Sequence, residues 1–171
     1  MIARRMQRLT SGLFTAVIAG LLLTQPTARA QEKDKLGLDK IPKKVMDALQ
    51  AKFPKAQIHK WTKEKEGDDV VYDIEFKQDN RNFEADVKDD GTIHNWEREV
   101  AAMDLPEAVK KAVEMRYPKS TLKEILESTA VTDGKEVLEG YEIVLETANK
   151  KGVEVTVAPD GKILEDSGKK K

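Results

Sequence analysis

Apolar side chains recur at Ile41, Val45, Ala48, Leu49 and Phe53, a spacing that lays them along one stripe of an α-helix. Further on, the period falls to two. Val70, Tyr72, Ile74 and Phe76 alternate with Val71, Asp73, Glu75 and Lys77, and Phe83, Ala85 and Val87 alternate with Glu84, Asp86 and Lys88. Such alternation marks strands with one apolar and one polar face. The same succession then returns. Leu105, Val109, Ala112, Val113 and Tyr117 make a second helical stripe, followed by Tyr141, Ile143 and Leu145 and by Val153, Val155 and Val157. The pattern predicts an α+β chain of two tandem repeats, each an N-terminal helix packed on one face of an antiparallel sheet of about four strands.

The punctuation agrees with the periodicity. Pro42 and Pro106 stand where a helix tolerates a missing N–H, and Asp39 and Asp104 precede them as candidate caps. Pro54 and Pro118 bias the preceding residue out of the α region and stop each helix. Gly67-Asp68-Asp69, Gln78-Asp79-Asn80, Asp89-Asp90-Gly91 and Pro159-Asp160-Gly161 supply turns. The helices align at an offset of 64 residues and the last hairpins at 70, so the second copy carries extra residues, mostly around Asp133-Gly134-Lys135-Glu136. A unit of about 60 residues is marginal alone, so the copies are expected to share a core or a continuous sheet. Residues 97–103 read as the join between them.

The first 30 residues differ from the rest. Arg4, Arg5 and Arg8 precede the apolar run Leu13–Leu23, and Ala28-Arg29-Ala30 offers a small-x-small cleavage site. This is the layout of a secretory signal; the run is too short to span a membrane, which takes roughly 20 residues. The division expected is 1–30 signal peptide, 31–38 disordered segment, 39–100 first repeat, 101–165 second repeat and 166–171 disordered basic tail. Removing Arg4, Arg5, Arg8 and Arg29, with no acid among residues 1–30, leaves 26 basic against 31 acidic residues, net −5. A mildly acidic, mixed-charge product argues against nucleic-acid binding, and no integral membrane segment is expected after cleavage. The chain has no cysteine, so stability rests on packing alone, and thiolate metal sites and a lipid-anchoring cysteine are excluded.

A Leu/Ile-Pro-x-x-Val helix start, an aromatic-Pro-Lys stop (Phe53-Pro54-Lys55, Tyr117-Pro118-Lys119), a Tyr-x-Ile strand (Tyr72–Ile74, Tyr141–Ile143) and a final Asp-Gly-x-Ile hairpin (Asp90–Ile93, Asp160–Ile163) occur in each copy. This combination resembles the PepSY-like family of small exported bacterial domains, which is similar in fold to the β-lactamase-inhibitor protein. The resemblance covers residues 38–165. It implies no catalytic residues and no cofactor, a periplasmic or secreted location, and either inhibition or regulation of an exported hydrolase or peptidase or a plain binding role.

Residues that could carry a specific function lie in the first copy. His59-Lys60-Trp61 and His94-Asn95-Trp96 share a spacing, and residues i and i+2 of a strand share a face. With Ile58 and Ile93 turned to the core, His59, Trp61, His94 and Trp96 are expected on the open sheet face beside Asp73, Glu75, Glu84 and Asp86, forming a partner-binding surface. The alternative is that the tryptophans are core; Trp61 aligns with Ile125, which favours it. The acidic face could also serve a ligand or metal ion, although no calcium-loop motif is present. No nucleophile elbow or phosphate loop occurs, and carboxylates on exposed alternating positions lack the burial that tunes general acids, so the chain does not read as an enzyme.

Overall fold

The computed structural model describes residues 36–169. The expected signal peptide, Gln31–Lys35 and the last two lysines lie outside them. Two α-helices, α1 (Lys43–Lys52) and α2 (Glu107–Arg116), accompany eight strands: β1 (Gln57–Glu66), β2 (Asp69–Gln78), β3 (Arg81–Lys88), β4 (Ile93–Glu99), β5 (Thr121–Thr132), β6 (Lys135–Glu146), β7 (Gly152–Val157) and β8 (Ile163–Asp166). All eight form one antiparallel sheet in sequence order. Among the described residues no helix is long and apolar enough to cross a membrane.

Each helix begins directly after its proline, with Pro42 and Pro106 in the cap position and no side-chain cap. Asp39 and Asp104, expected as caps, instead lie within short 3-10 turns. The β2–β3 and β5–β6 hairpins turn through two consecutive positive-φ residues, Asp79-Asn80 and Asp133-Gly134. That geometry matches the right-handed twist of the flanking strands.

The expected sharing between the halves is resolved in favour of the sheet. Residues 97–99, read from sequence as the start of the join, are strand: Asn95–Glu99 of β4 pairs with Leu126–Ala130 of β5. The apolar cores stay separate. One gathers Val45 and Leu49 of α1 with Tyr72, Ile74, Phe76, Ala85 and Val87; the other gathers Val109 and Val113 of α2 with Ile125, Tyr141, Ile143, Leu145, Val153, Val155 and Val157. Burying a side chain of this kind contributes about 1.5–3 kcal/mol.

The end of α1 and the end of α2 are finished by different chemistry. After α1, the Phe53 ring meets the Trp96 ring edge-on at 5.9 Å, and Lys52 Nζ lies 5.0 Å from the indole centre. After α2, Tyr117 donates its hydroxyl proton to Asp166 Oδ1, and Arg116 Nε donates to Asp166 Oδ2 at 2.7 Å. Burial pushes the Asp166 carboxyl up, but the bonds from Tyr117, Arg116 and the Gly168 N–H outweigh it and hold the group below the usual range. Burial, then the Asp166 bond and charge, push the Tyr117 hydroxyl up to about 12. Asp166, expected to open a disordered tail, therefore closes β8, and Ser167 adds a backbone bond to the Glu154 carbonyl at 3.0 Å. At the other end Leu36, expected to be disordered, accepts a bond from the Trp61 indole N–H at 2.7 Å.

Candidate functional site: the acidic face of the sheet

Period-two alternation sends Asp73 and Glu75 of β2 to the face opposite Tyr72, Ile74 and Phe76. Strand register then lines carboxylates up. Glu75 stands directly opposite Glu84 on β3, and Glu84 directly opposite Glu97 on β4. Two residue pairs along, on the same face, Asp73 faces Asp86. Like charges in direct opposition weaken a sheet, and here some are also withdrawn from water: Asp73, Glu84 and Glu97 are 6%, 7% and 1% exposed. The face forms a trough of about 470 Å³ lined by eight carboxylates against one lysine, Lys60. That lysine is held by Glu75 Oε1 at 2.6 Å.

Both expected histidines reach this face. His59 Nε2 lies 3.8 Å from Glu75 Oε2, and His94 Nε2 lies 4.0 Å from Asp86 Oδ2. Neither tryptophan does. A β-bulge between Ile58 and Lys60 makes His59 the extra residue, so Trp61 falls opposite Ile74 on the apolar side. A second bulge between Ile93 and Asn95 places Trp96 opposite Ala85. An extra residue resets the alternation, and the i, i+2 rule used on the sequence fails across it. The aromatic surface expected from His59, Trp61, His94 and Trp96 is therefore corrected: Trp61 and Trp96 pack against the α1 core, and the open face is acidic rather than aromatic. His59, Asp73, Glu75, Glu84, Asp86 and His94 remain on it.

The structure adds residues that the sequence reading left out. Glu97 belonged to the presumed join, and Glu124, Glu142 and Glu154 come from the second half. Because β4 and β5 pair, these acids line the same trough as Glu75 and Glu84, although the residue directly opposite Glu97 is Ser128. Their signal was present in the sequence as acids alternating with Ile125, Ile143 and Val155. Placing them required knowing that the sheet is continuous.

Glu124 reports the electrostatics of the trough. Its residue surface is exposed, yet its carboxyl is desolvated by the trough walls; that burial first, and then Glu99, Glu84 and Glu75, raise it above the ordinary 4.5. A carboxyl raised in the folded state contributes stability that is present below its unfolded value and lost as pH rises through the folded one. Glu124→Gln is accordingly expected to gain on the parent between pH 4 and pH 7 in urea unfolding. A stability gap unchanged with pH would contradict this.

Three oxygen donors converge within the face: one carboxylate oxygen each of Asp73, Glu84 and Asp86, all within 4.8 Å of one another. Among the described residues the trough is lined mainly by carboxylates rather than by apolar side chains.

Comparison with known proteins places this geometry. The fold is similar to that of a DUF2874 family protein from Bacteroides uniformis (TM-score 0.58, 14% identity, 73% of this chain and 87% of the other). A BLIP-like protein from Bacteroides fragilis (0.55, 20%, 78% and 90%) and a protein described as "putative periplasmic" from Bacteroides eggerthii (0.59, 14%, 74% and 87%) share it as well. No curated protein sequence matches the chain. The sequence model of the family described as "Putative beta-lactamase-inhibitor-like, PepSY-like" matches twice, over residues 29–95 and 71–165. With most of its length so matched, the chain belongs to the PepSY-like family.

Proposed function

We propose that the chain is an exported, non-catalytic binding protein that docks a partner protein on the acidic face of its sheet and so restrains an exported hydrolase or peptidase. The observation that carries the proposal is the row Glu75, Glu84 and Glu97, carboxylates opposed on three adjacent strands at the floor of a trough. Holding like charges together costs stability, and a cationic counterpart recovers it. The docking element is then a lysine- or arginine-bearing loop. The family's beta-lactamase-inhibitor-like description supports an inhibitory role, and the leader-like first 30 residues support a periplasmic or secreted location. The scaffold is read as tandem copies over 39–100 and 101–165, a reading supported by the double family match and by the equal order of elements in the two halves.

The test is capture from the exported fraction with residues 31–171 as bait. A partner retained by the parent is expected to be lost with the triple variant Glu124→Gln, Glu142→Gln, Glu154→Gln and released by salt. Retention by the triple variant would remove the acidic face from the argument.

A second reading has one specific observation in its favour, the convergence of Asp73, Glu84 and Asp86 with His94 beside Asp86. Under it the face senses a divalent cation, calcium being the ion that takes six to eight oxygen ligands. Calcium, zinc and copper titrated calorimetrically distinguish the two readings. Heat together with a raised melting temperature, both abolished by Asp86→Asn, would favour the cation.

A further inference from the structure

The outer half of β6 is a strand edge within the sheet. On its inner side β6 pairs with β5 along its length, but β7 pairs only with Tyr141–Glu146. Among the described residues no strand lies beside 135–139 on that side. The segment ends at a bulge between Leu138 and Gly140 in which Glu139 is the extra residue. Two of its residues, Val137 and Leu138, are 58% and 40% exposed. The outermost edges of the sheet are protected differently. β1 ends in Lys63, Glu64, Lys65 and Glu66, and β8 is four residues long. Short or charged edges discourage pairing, whereas an exposed aliphatic edge invites it.

The sequence of this edge is complementary to itself. An antiparallel pairing centred on Val137 places Lys135 against the partner's Glu139, Glu139 against the partner's Lys135, and the two Val137 side chains together. Neither Lys135 nor Glu139 has an ion-pair partner among the described residues. Slipping the pairing so that Val137 meets Leu138 sets Glu136 against Glu139. Slipping it the other way sets Lys135 against Leu138. Of these three registers the centred one alone forms two opposite-charge pairs, and opposed charges across strands stabilise where like charges destabilise.

We infer that β6 pairs with β6 of a second copy through residues 135–139, giving a two-fold symmetric dimer whose sheet runs through both chains. The contact is isologous, so it closes at two copies. It is also small, so the dimer is weak and dependent on concentration.

Sedimentation equilibrium of residues 31–171 over a wide concentration range tests this, with circular dichroism confirming that each variant is folded. The parent is expected to shift from monomer to dimer mass. Lys135→Glu and Glu139→Lys each turn both ion pairs repulsive and are expected to weaken the dimer at least about tenfold. The double variant exchanges the charges and is expected to recover the parent constant. A parent that stays monomeric throughout overturns the inference, as does a dimer indifferent to Lys135→Glu or a double variant that fails to recover.

Discussion

Phe76→Ala is expected to cost ~3–5 kcal/mol, the usual range for deleting a buried ring, and to lower Tm by roughly 10 °C in a chain of this size. Phe76 is 0% exposed. Its ring lies 4.8 Å from that of Phe53 at the end of α1 and 5.5 Å, nearly parallel, from that of Phe83. Phe83 in turn stacks on Trp96 at 6.5 Å. The deleted ring is thus the inner member of an aromatic group that joins the helix end to β2, β3 and β4, and little around it can collapse into the space. The form of the transition matters as much as its midpoint. The two apolar cores are separate, yet β4 pairs with β5, Arg98 bonds Glu127 at 2.6 Å across that pairing, and Lys52 at the end of α1 is ion-paired with Glu136 of β6. Calorimetry of Phe76→Ala is therefore expected to show one transition displaced as a whole. Two resolved transitions, with the second at the parent temperature, would mean that the halves unfold independently.

Gly161→Ala is expected to cost about 2–4 kcal/mol, from backbone strain and steric conflict together. Gly161 has φ +89°, and an added Cβ would lie 2.7 Å from the Ala108 carbonyl oxygen in the first turn of α2. Because the obstacle is backbone, relief requires the helix or the hairpin to move. Gly91 is the corresponding residue of the first half, with φ +94° and a Cβ position 3.0 Å from the Lys44 carbonyl oxygen. Gly134, with φ +72° and nothing within 4 Å, isolates the conformational cost alone. The expected order of destabilisation on substitution by alanine is Gly134, then Gly91, then Gly161, measured by chemical denaturation. A Gly161→Ala no worse than Gly134→Ala would show that the hairpin yields freely. The same comparison explains why Asp-Gly recurs in the sequence: Asp90 and Asp160 each accept a backbone N–H two residues on, at 2.8 and 3.0 Å, and the glycine lets the turn approach the helix.

The acidic face was half legible. Asp73, Glu75, Glu84 and Asp86 lie where alternation with Tyr72, Ile74, Phe76 and Ala85 puts them, because those strands run without interruption. Trp61, whose alignment with Ile125 already favoured the core, and Trp96 leave the open face because one extra residue at His59 and another at His94 reverse the alternation. A bulge leaves no mark in composition that a strand of the same residues lacks. Glu97 was misplaced for another reason: nothing in Glu97–Glu99 distinguishes a charged connection from a charged central strand until its partner on β5 is known.

The local elements were settled by the sequence itself. Helical stripes, proline stops and Asp-Gly turns depend on neighbours within a few residues, and the physical chemistry acts over that same range. Family membership follows from those positions as well. Only the tertiary structure decided that two sheets become one, that the tryptophans turn inward, and that acids from both halves meet in a single trough. Those outcomes depend on pairing between residues far apart in the chain, such as Glu97 with Ser128. There the register is chosen by the whole sheet and not by any one strand.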